Sequence, residues 1–550
     1  MTAHLLSDAA AATRDWLAPL LDEARCFYPV PGGVVSVAGP DGAVAAVAFG
    51  EDVAGVPMTT DRAFAIGSIS KFFTALVVDA VVQEGELRFD DPIGSLLTWA
   101  DLPRELGDIP LAALLTHTGG LPLGGDVLPD DAGEIAVARG VGRAGAARRF
   151  HYSNLGYLML GEAVLIATGR PLADHVAARL LSPLGLHAAR SQASHADRGT
   201  MATGHWSARP DRPWVPGDAL ETAPWFELDS ASGNLTATVA DMDRFGAAVL
   251  SAHAGAPAPA GSALTPASLA RAVSDLAPGG EPVYAVPGIA RASSSRYGRG
   301  INVEAVDGST CLTHGGGMVG YSTFWLVDVG RGFAVTVLTN ANGNSLAAHL
   351  LARATHAAVV GHLSATVPTI TLDTRVRGPL AGEGRFMGRS GVLEVRSGPD
   401  SVQVDLADSR GTLFRPPEGR TVSDHPALRT FPLDYDPDDD AWTCGPRTWR
   451  RDGRAVDDGP PHPLEGHYRC YSPWYRELRI YRRSGRLYLA AGDDVEAPAD
   501  ELALVELDEG YWRIGDDPWL PERLVAGPLR HGSVAVITRD ACPYSRVFSP

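Results

Sequence analysis

Two apolar hairpins, one near the start of the chain and one far along it, constrain the fold more than any other feature. Gly33–Ala38 and Ala43–Phe49 flank the turn Pro40-Asp41-Gly42, and Ser322–Val327 and Phe333–Thr339 flank Gly330-Arg331-Gly332. Apolar runs on either side of Gly and Pro turn signals read as antiparallel strand pairs. A two-stranded hairpin is barely stable alone in water. The expectation is therefore one antiparallel sheet in which the first and last strands lie side by side. Helical periodicity over residues 8–25, Lys71–Gln83 and Asn344–His362 supplies helices to flank that sheet. What lies between the hairpins reads as a large, mostly helical insertion, with Ser251–Pro287 shifting to Ala, Pro, Gly and Ser as an irregular surface excursion. The fold class is α+β.

From about Ala365 the helical patterns stop. Short strand-like runs follow, Val392–Val395, Val402–Leu406, Leu478–Tyr481, Leu487–Leu489, Leu502–Leu507 and Val534–Thr538, each between turn signals. Gly382-Glu383-Gly384-Arg385-Phe386 and Glu465-Gly466-His467-Tyr468-Arg469 open two similar series, and Asp457–Pro463 reads as a linker. The expected domains are a mixed unit over residues 1–363, a linker over 364–379, and two small barrel-like β domains over 380–460 and 464–550. A chain of 550 residues is long enough for several such cores.

With 45% hydrophobic and 20% charged residues the composition is that of a globular protein. The net charge of −18, with no basic stripe, argues against nucleic acid and anionic membranes as partners. A small molecule or peptide is the expected substrate. Neither an export signal over Met1–Arg25 nor a long uncharged apolar stretch is visible, and the five scattered cysteines, Cys26, Cys311, Cys444, Cys470 and Cys542, read as reduced thiols. The expected location is the cytoplasm.

The 47 basic residues include one lysine, Lys71. It sits in Ser68-Ile69-Ser70-Lys71, between the strand-like Ala63–Ile66 and a helix. Residues three apart on a first helical turn share a face, so Ser68 Oγ and Lys71 Nζ can meet. An ordinary lysine, with a pKa of about 10.4, is no base at neutral pH, but burial and the positive field of a helix N-terminus bring it into range. Arginine cannot be brought so far, which gives this position a reason to be lysine. Tyr152-Ser153-Asn154 follows, with a phenol suited to relaying a proton and an amide suited to holding a carbonyl. His314-Gly315-Gly316-Gly317 then precedes the second hairpin; its glycines let a substrate lie against the backbone, an N–H there can complete an oxyanion hole with that of Ser68, and His314 can donate to a carboxylate or oxyanion.

In this order, S-x-x-K, Y-x-N and H-G-G resemble the motifs of the serine β-lactamase and penicillin-binding protein superfamily, nearest to class C β-lactamases, family VIII esterases and D-aminopeptidases. Leu114-Leu115-Thr116-His117-Thr118-Gly119-Gly120-Leu121-Pro122, Pro183-Leu184-Gly185-Leu186 and Ser232-Gly233-Asn234-Leu235 support the match over residues 30–360. The resemblance implies a β-lactamase-like fold, Ser68 as the acylated nucleophile, Lys71 and Tyr152 sharing the base and acid roles, and substrate contacts from Asn154 and from Gly315, Gly316 and Gly317. The tail resembles the lipocalin-like barrels appended to D-aminopeptidases. Penicillin-recognising members commonly carry Lys-Thr-Gly where this chain has His314-Gly315-Gly316, which turns the expectation toward peptides or esters. No cofactor is implied. Asp434-Tyr435-Asp436-Pro437-Asp438-Asp439-Asp440 lacks the glycine and terminal Glu of a calcium loop, and no metal site is expected. Three functions compete: a serine hydrolase of amides or esters, a transacylase or peptide cyclase using the same acyl-enzyme, and a non-catalytic binding protein that keeps the fold.

Overall fold

A computed structural model describes residues 3–124, 133, 135–136, 148–227, 230–286, 288–289, 291–342, 346–417, 419–454, 459–472, 474, 476–492 and 501–547. Part of the loop Gly120–Arg139, the first two residues of the helix expected over Asn344–His362, and Asp457 and Asp458 of the expected linker lie outside them.

The chain divides into two compact units. The first comprises Met1–Arg25, Val30–Trp206 and Thr222–Thr371. The second comprises Leu372–Pro550 together with two shorter segments, Cys26–Pro29 and Ser207–Glu221. This partition differs from a single cut near residue 363 for a packing reason: Phe27 and Val215 lie against Phe414 and Val422 in the second unit.

In the first unit, helix α1 (Ala3–Phe27) leads into β1 (Gly32–Gly39), β2 (Gly42–Val53) and β3 (Val56–Pro57). The short strand β4 (Ala63–Ala65) pairs with β5 (Thr236–Thr238), and β6 (Ser294–Tyr297), β7 (Asn302–Val306), β8 (Ser309–Met318), β9 (Tyr321–Asp328) and β10 (Phe333–Thr339) follow. The main sheet runs β3-β2-β1-β10-β9-β8-β7-β6. The first and last strands are neighbours, as the two hairpins imply, with Gly33 opposite Thr339 and Val35 opposite Val337. The turn in the first hairpin closes at Gly39–Gly42, where Gly42 takes φ +106°, a left-handed value that favours glycine.

Side chains alternate across a strand, so each face of this sheet has its own partners. On β9, Trp325 stacks on Phe245 of a helix over Val239–His253, whereas Phe324 meets His349 of the helix over Leu346–Ser364. The central strands β1, β9 and β10 are buried along their whole length, as covering both faces demands.

The second unit is all-β. One eight-stranded sheet centres on Gly384–Gly388 and runs outward through Gly391–Ser397, Val402–Leu406 and Ser409–Phe414 on one side and Arg447–Arg450, Ala441–Cys444 and Leu433–Asp436 on the other. Its core holds Phe386, Trp442 and Trp449, all fully buried. The last part is a closed barrel in which Gly466–Arg469 pairs both with Glu477–Arg483 and with the final strand Cys542–Val547. Closure leaves no exposed edge. Glu501, buried in the barrel wall, binds Arg483, and Arg483 donates to Gly445 O of the preceding sheet at 2.9 Å. The five cysteines are unbridged. No described helix is long and apolar enough to cross a membrane.

One buried acid sets a pH dependence. Asp243 on the Val239–His253 helix accepts a hydrogen bond from Ser36 Oγ at 2.6 Å, and its second oxygen has no partner. Burial pushes its carboxyl up to about 7, the Ser36 bond opposing. The folded chain therefore keeps this proton over a range in which the unfolded chain has released it. The resulting stability is full below about pH 4, the ordinary carboxylate value, and is lost as pH rises to about 7. Asp243→Asn keeps the Ser36 bond without the ionisation. Thermal unfolding at pH 5 and pH 8 is expected to show a smaller fall in Tm for this variant than for the parent, and equal falls would remove Asp243 as the cause.

Candidate active site

Ser68 stands in a single 3-10 turn, Gly67–Ile69, that runs directly into helix α2 (Ser70–Gln83). Gly67 has φ +52°, and a Cβ there would lie 2.5 Å from Gly317 O and 2.8 Å from Gly317 N. Only glycine meets both demands. Ser70, between the two reactive positions, is structural: its Oγ accepts from Leu235 N at 3.2 Å. Ser68 itself is 9% exposed, whereas Lys71 is wholly buried.

A buried ammonium has to find acceptors. Lys71 Nζ donates to Ser68 Oγ at 2.9 Å, Asn154 Oδ1 at 2.6 Å and the Ser232 carbonyl at 2.8 Å. Two of these three acceptors are carbonyl oxygens and cannot return a proton. When Lys71 is neutral they take its two N–H groups, and its lone pair faces the Ser68 hydroxyl. The environment thus orients the amine as a base toward one group.

Asn154 opens helix α3 (Asn154–Thr168), whose N-cap is Ser153, with Gly156 N donating to Ser153 Oγ at 3.2 Å. The cap residue has extended backbone, φ −143° and ψ 114°, which separates Tyr152 from the helix proper. The Tyr152 ring centre is 4.9 Å from Lys71 Nζ. Asn154, expected from the resemblance to contact substrate, is tied to Lys71 through its oxygen.

Pairing between β8 and β7 ends at Thr313–Asn302. From His314 onward the outer edge of β8 faces the Gly67–Ser68 turn. A Cβ on Gly316 would collide with the Ile66 carbonyl and Thr323 Oγ1, so this glycine lets two backbones meet. The Gly317 backbone is thereby brought beside the Ser68 turn, its nitrogen 2.8 Å from where a Cβ on Gly67 would lie.

His314, expected to donate to a carboxylate or oxyanion, meets Gly315 and Tyr297. It is fully buried. Its Nδ1 is 2.6 Å from the Gly315 carbonyl, which can only accept, so the ring proton is on Nδ1. Its Nε2, 2.8 Å from Tyr297 Oη, accepts the phenol's hydrogen. Burial, against the Gly315 bond, lowers its pKa to about 3. The ring is neutral and both its nitrogens are engaged, so it offers neither charge nor N–H to the cleft.

Two residues that the sequence did not single out complete the surroundings. His117 lies with its ring centre 4.3 Å from that of Tyr152, and its Nδ1 accepts from Ser153 N at 3.1 Å. Burial first, then the charge of Lys71, holds it well below its usual pKa. Tyr297 fills the space between His117 and His314, and burial drives its phenol well above 10. His117 was visible within the T-H-T-G-G stretch, while Tyr297 carries no signal apart from the glycine after it.

A family model described as Beta-lactamase matches residues 18–359. The chain belongs to the beta-lactamase family. Among curated relatives of this beta-lactamase-family chain, penicillin-binding protein 4 of Amycolatopsis lactamdurans is 30% identical over 239 residues, covering 41% of this chain and 60% of that one. Esterase EstB of Burkholderia gladioli is 32% identical over 157 residues, 24% of this chain and 39% of that one. The chain thus spans less than two thirds of the length of these relatives. Among solved structures, the octameric penicillin-binding protein homologue from Pyrococcus abyssi has TM-score 0.53 at 20% identity, covering 87% of this chain and 97% of that one. D-amino acid amidase from Ochrobactrum anthropi SV3 has TM-score 0.52 at 22% identity, covering 66% of this chain and 98% of that one. At such identities the structural likeness speaks for the fold.

Gly67→Ala tests the close approach. The left-handed backbone alone costs about 1–2 kcal/mol in an alanine, and the added methyl pushes Gly317 away from Ser68. A lowered Tm together with lost reactivity at Ser68 is expected, measured by thermal unfolding and active-site labelling. Unchanged labelling would show that the contact does not shape the site.

Proposed function

We propose that this chain is a serine hydrolase that cleaves an amide or ester through an acyl-enzyme on Ser68. The observation that carries the reading is the three-way binding of Lys71 Nζ, in which Asn154 Oδ1 and Ser232 O hold two positions and Ser68 Oγ the third. Neutral Lys71 takes the Ser68 proton as Oγ attacks the substrate carbonyl. The N–H groups of Ser68 and Gly317 receive the oxyanion. Tyr152, within the field of Lys71, passes a proton to the leaving group. Water then attacks the acyl-enzyme along the same route in reverse, and Ser68 regains its proton.

Support for amides and esters over β-lactams comes from His314. A β-lactam carries a carboxylate, and the position where related enzymes commonly offer a lysine is here a neutral imidazole with both nitrogens engaged. The relatives named an esterase and an amidase fit that chemistry.

A fluorophosphonate probe or a p-nitrophenyl ester is expected to acylate or phosphonylate Ser68, with mass spectrometry placing the adduct. Ser68→Ala abolishes it. Lys71→Arg retains a cation that cannot act as a base, and is expected to lower kcat/KM about 10³-fold. Labelling that survives Ser68→Ala would overturn the proposal.

A further inference from the structure

Beside the nucleophile lies a cavity of about 120 Å³, bounded by Ala65, Asn234, Met318 and Trp225 among others. Ala65 is three residues before Ser68, Met318 directly follows Gly317, and Thr236, also in the wall, pairs with Ala65 across β4 and β5. The cavity wall is thus continuous in chain with the Ser68 turn and the Gly317 edge. Most of the wall is apolar, with Met201, Pro224, Phe226 and Val319 contributing. Arg198 is its one charged member.

Arg198 is an exposed residue of this wall. Its guanidinium stands over the Trp225 ring, 6.0 Å from the centroid, and makes no ion pair among the described residues. Asp197, Asp52 and Glu227 each have other partners. Asp197 accepts from Ser194 N at 2.9 Å and faces Arg190 at 3.5 Å. Asp52 holds Arg62 at 2.9 Å and accepts from Thr203 N at 2.6 Å. Glu227 accepts from Trp225 Nε1 at 3.3 Å. Tyr321 Oη, deeper in the wall, is spent on the Ala202 carbonyl at 2.7 Å. The Asn234 amide makes no hydrogen bond among the described residues, and it borders the same space. An apolar chamber with one unpaired guanidinium and one unpaired amide is complementary to a carboxylate on an apolar stem.

Resting on the acyl-enzyme reading above, we infer that this cavity receives the acyl part of the substrate and that Arg198 selects acyl groups ending in a carboxylate. The substrate class is then an amide or ester of a dicarboxylic acid, with its free carboxylate at Arg198 and its other carbonyl at Ser68. The stem packs along Met201, Met318 and Phe226, and Asn234 donates its amide N–H to the bound acid.

The test compares p-nitrophenyl hydrogen adipate and glutarate with p-nitrophenyl hexanoate and pentanoate, near neighbours in shape without the charge. The full chain is expected to favour the acids in kcat/KM by about tenfold, the worth of one charge-assisted hydrogen bond. Arg198→Ala removes that ratio and Arg198→Lys restores part of it. Arg198→Glu reverses it toward an ester with a terminal trimethylammonium. A ratio that stays the same in Arg198→Ala overturns the inference. A second arm needs no chemistry: Ser68→Ala is titrated calorimetrically with adipic acid monoamide and with hexanamide, with and without Arg198→Ala. Arg198-dependent preference in binding without acylation of any ester would sink the proposed hydrolase and leave this inference standing. Acylation by all esters with no preference in either arm would do the opposite.

Discussion

The site depends on one buried amine and what surrounds it. Lys71 is wholly buried, so protein groups supply its hydrogen bonds. They come from three separated stretches: its own turn at Ser68, the start of the Asn154–Thr168 helix, and the carbonyl of Ser232. Each stretch is in turn anchored: Ser68 by the glycine contact with Gly317, Asn154 by the Ser153 cap, and Ser232 by the neighbouring Leu235 N bond to Ser70. Moving any one withdraws an acceptor from a wholly buried amine.

Three of the rings near Lys71 are held neutral by burial, while Glu281 stands 3.9 Å from His314 Nδ1. His117 and His314 are held uncharged by burial, and Tyr297 keeps its proton for the same reason. The packing of these rings is aromatic contact and single hydrogen bonds.

Much of this was legible in the chain. The hairpins carried the sheet because alternation and turn residues are local properties, and their distance apart implied the β1–β10 seam. Ser68, Lys71, Tyr152, Asn154 and the glycines were visible because helical spacing and the absence of a side chain have direct geometric meaning. The role of His314 was not, since whether an imidazole faces a cleft or a tyrosine depends on Tyr297, a partner brought by the fold. The Ser232 carbonyl was equally hidden, a backbone atom having no letter of its own. The assignment of Ser207–Glu221 to the second unit was out of reach for a related reason, because its bonds, such as Arg429 to Asp218, join residues with no shared pattern.

The seam between β1 and β10 has a consequence for how the chain comes to be folded. Gly33 and Thr339 are partners at the centre of the main sheet, so its core cannot close until the whole insertion has been synthesised. Contacts of such long sequence separation pay their loop entropy before they yield any burial, and they make folding slow. During synthesis the first hairpin waits with Val34, Val35 and Val37, buried in the end, uncovered. The order of the strands thus leaves apolar strand surface uncovered in the nascent chain until β10 has been made.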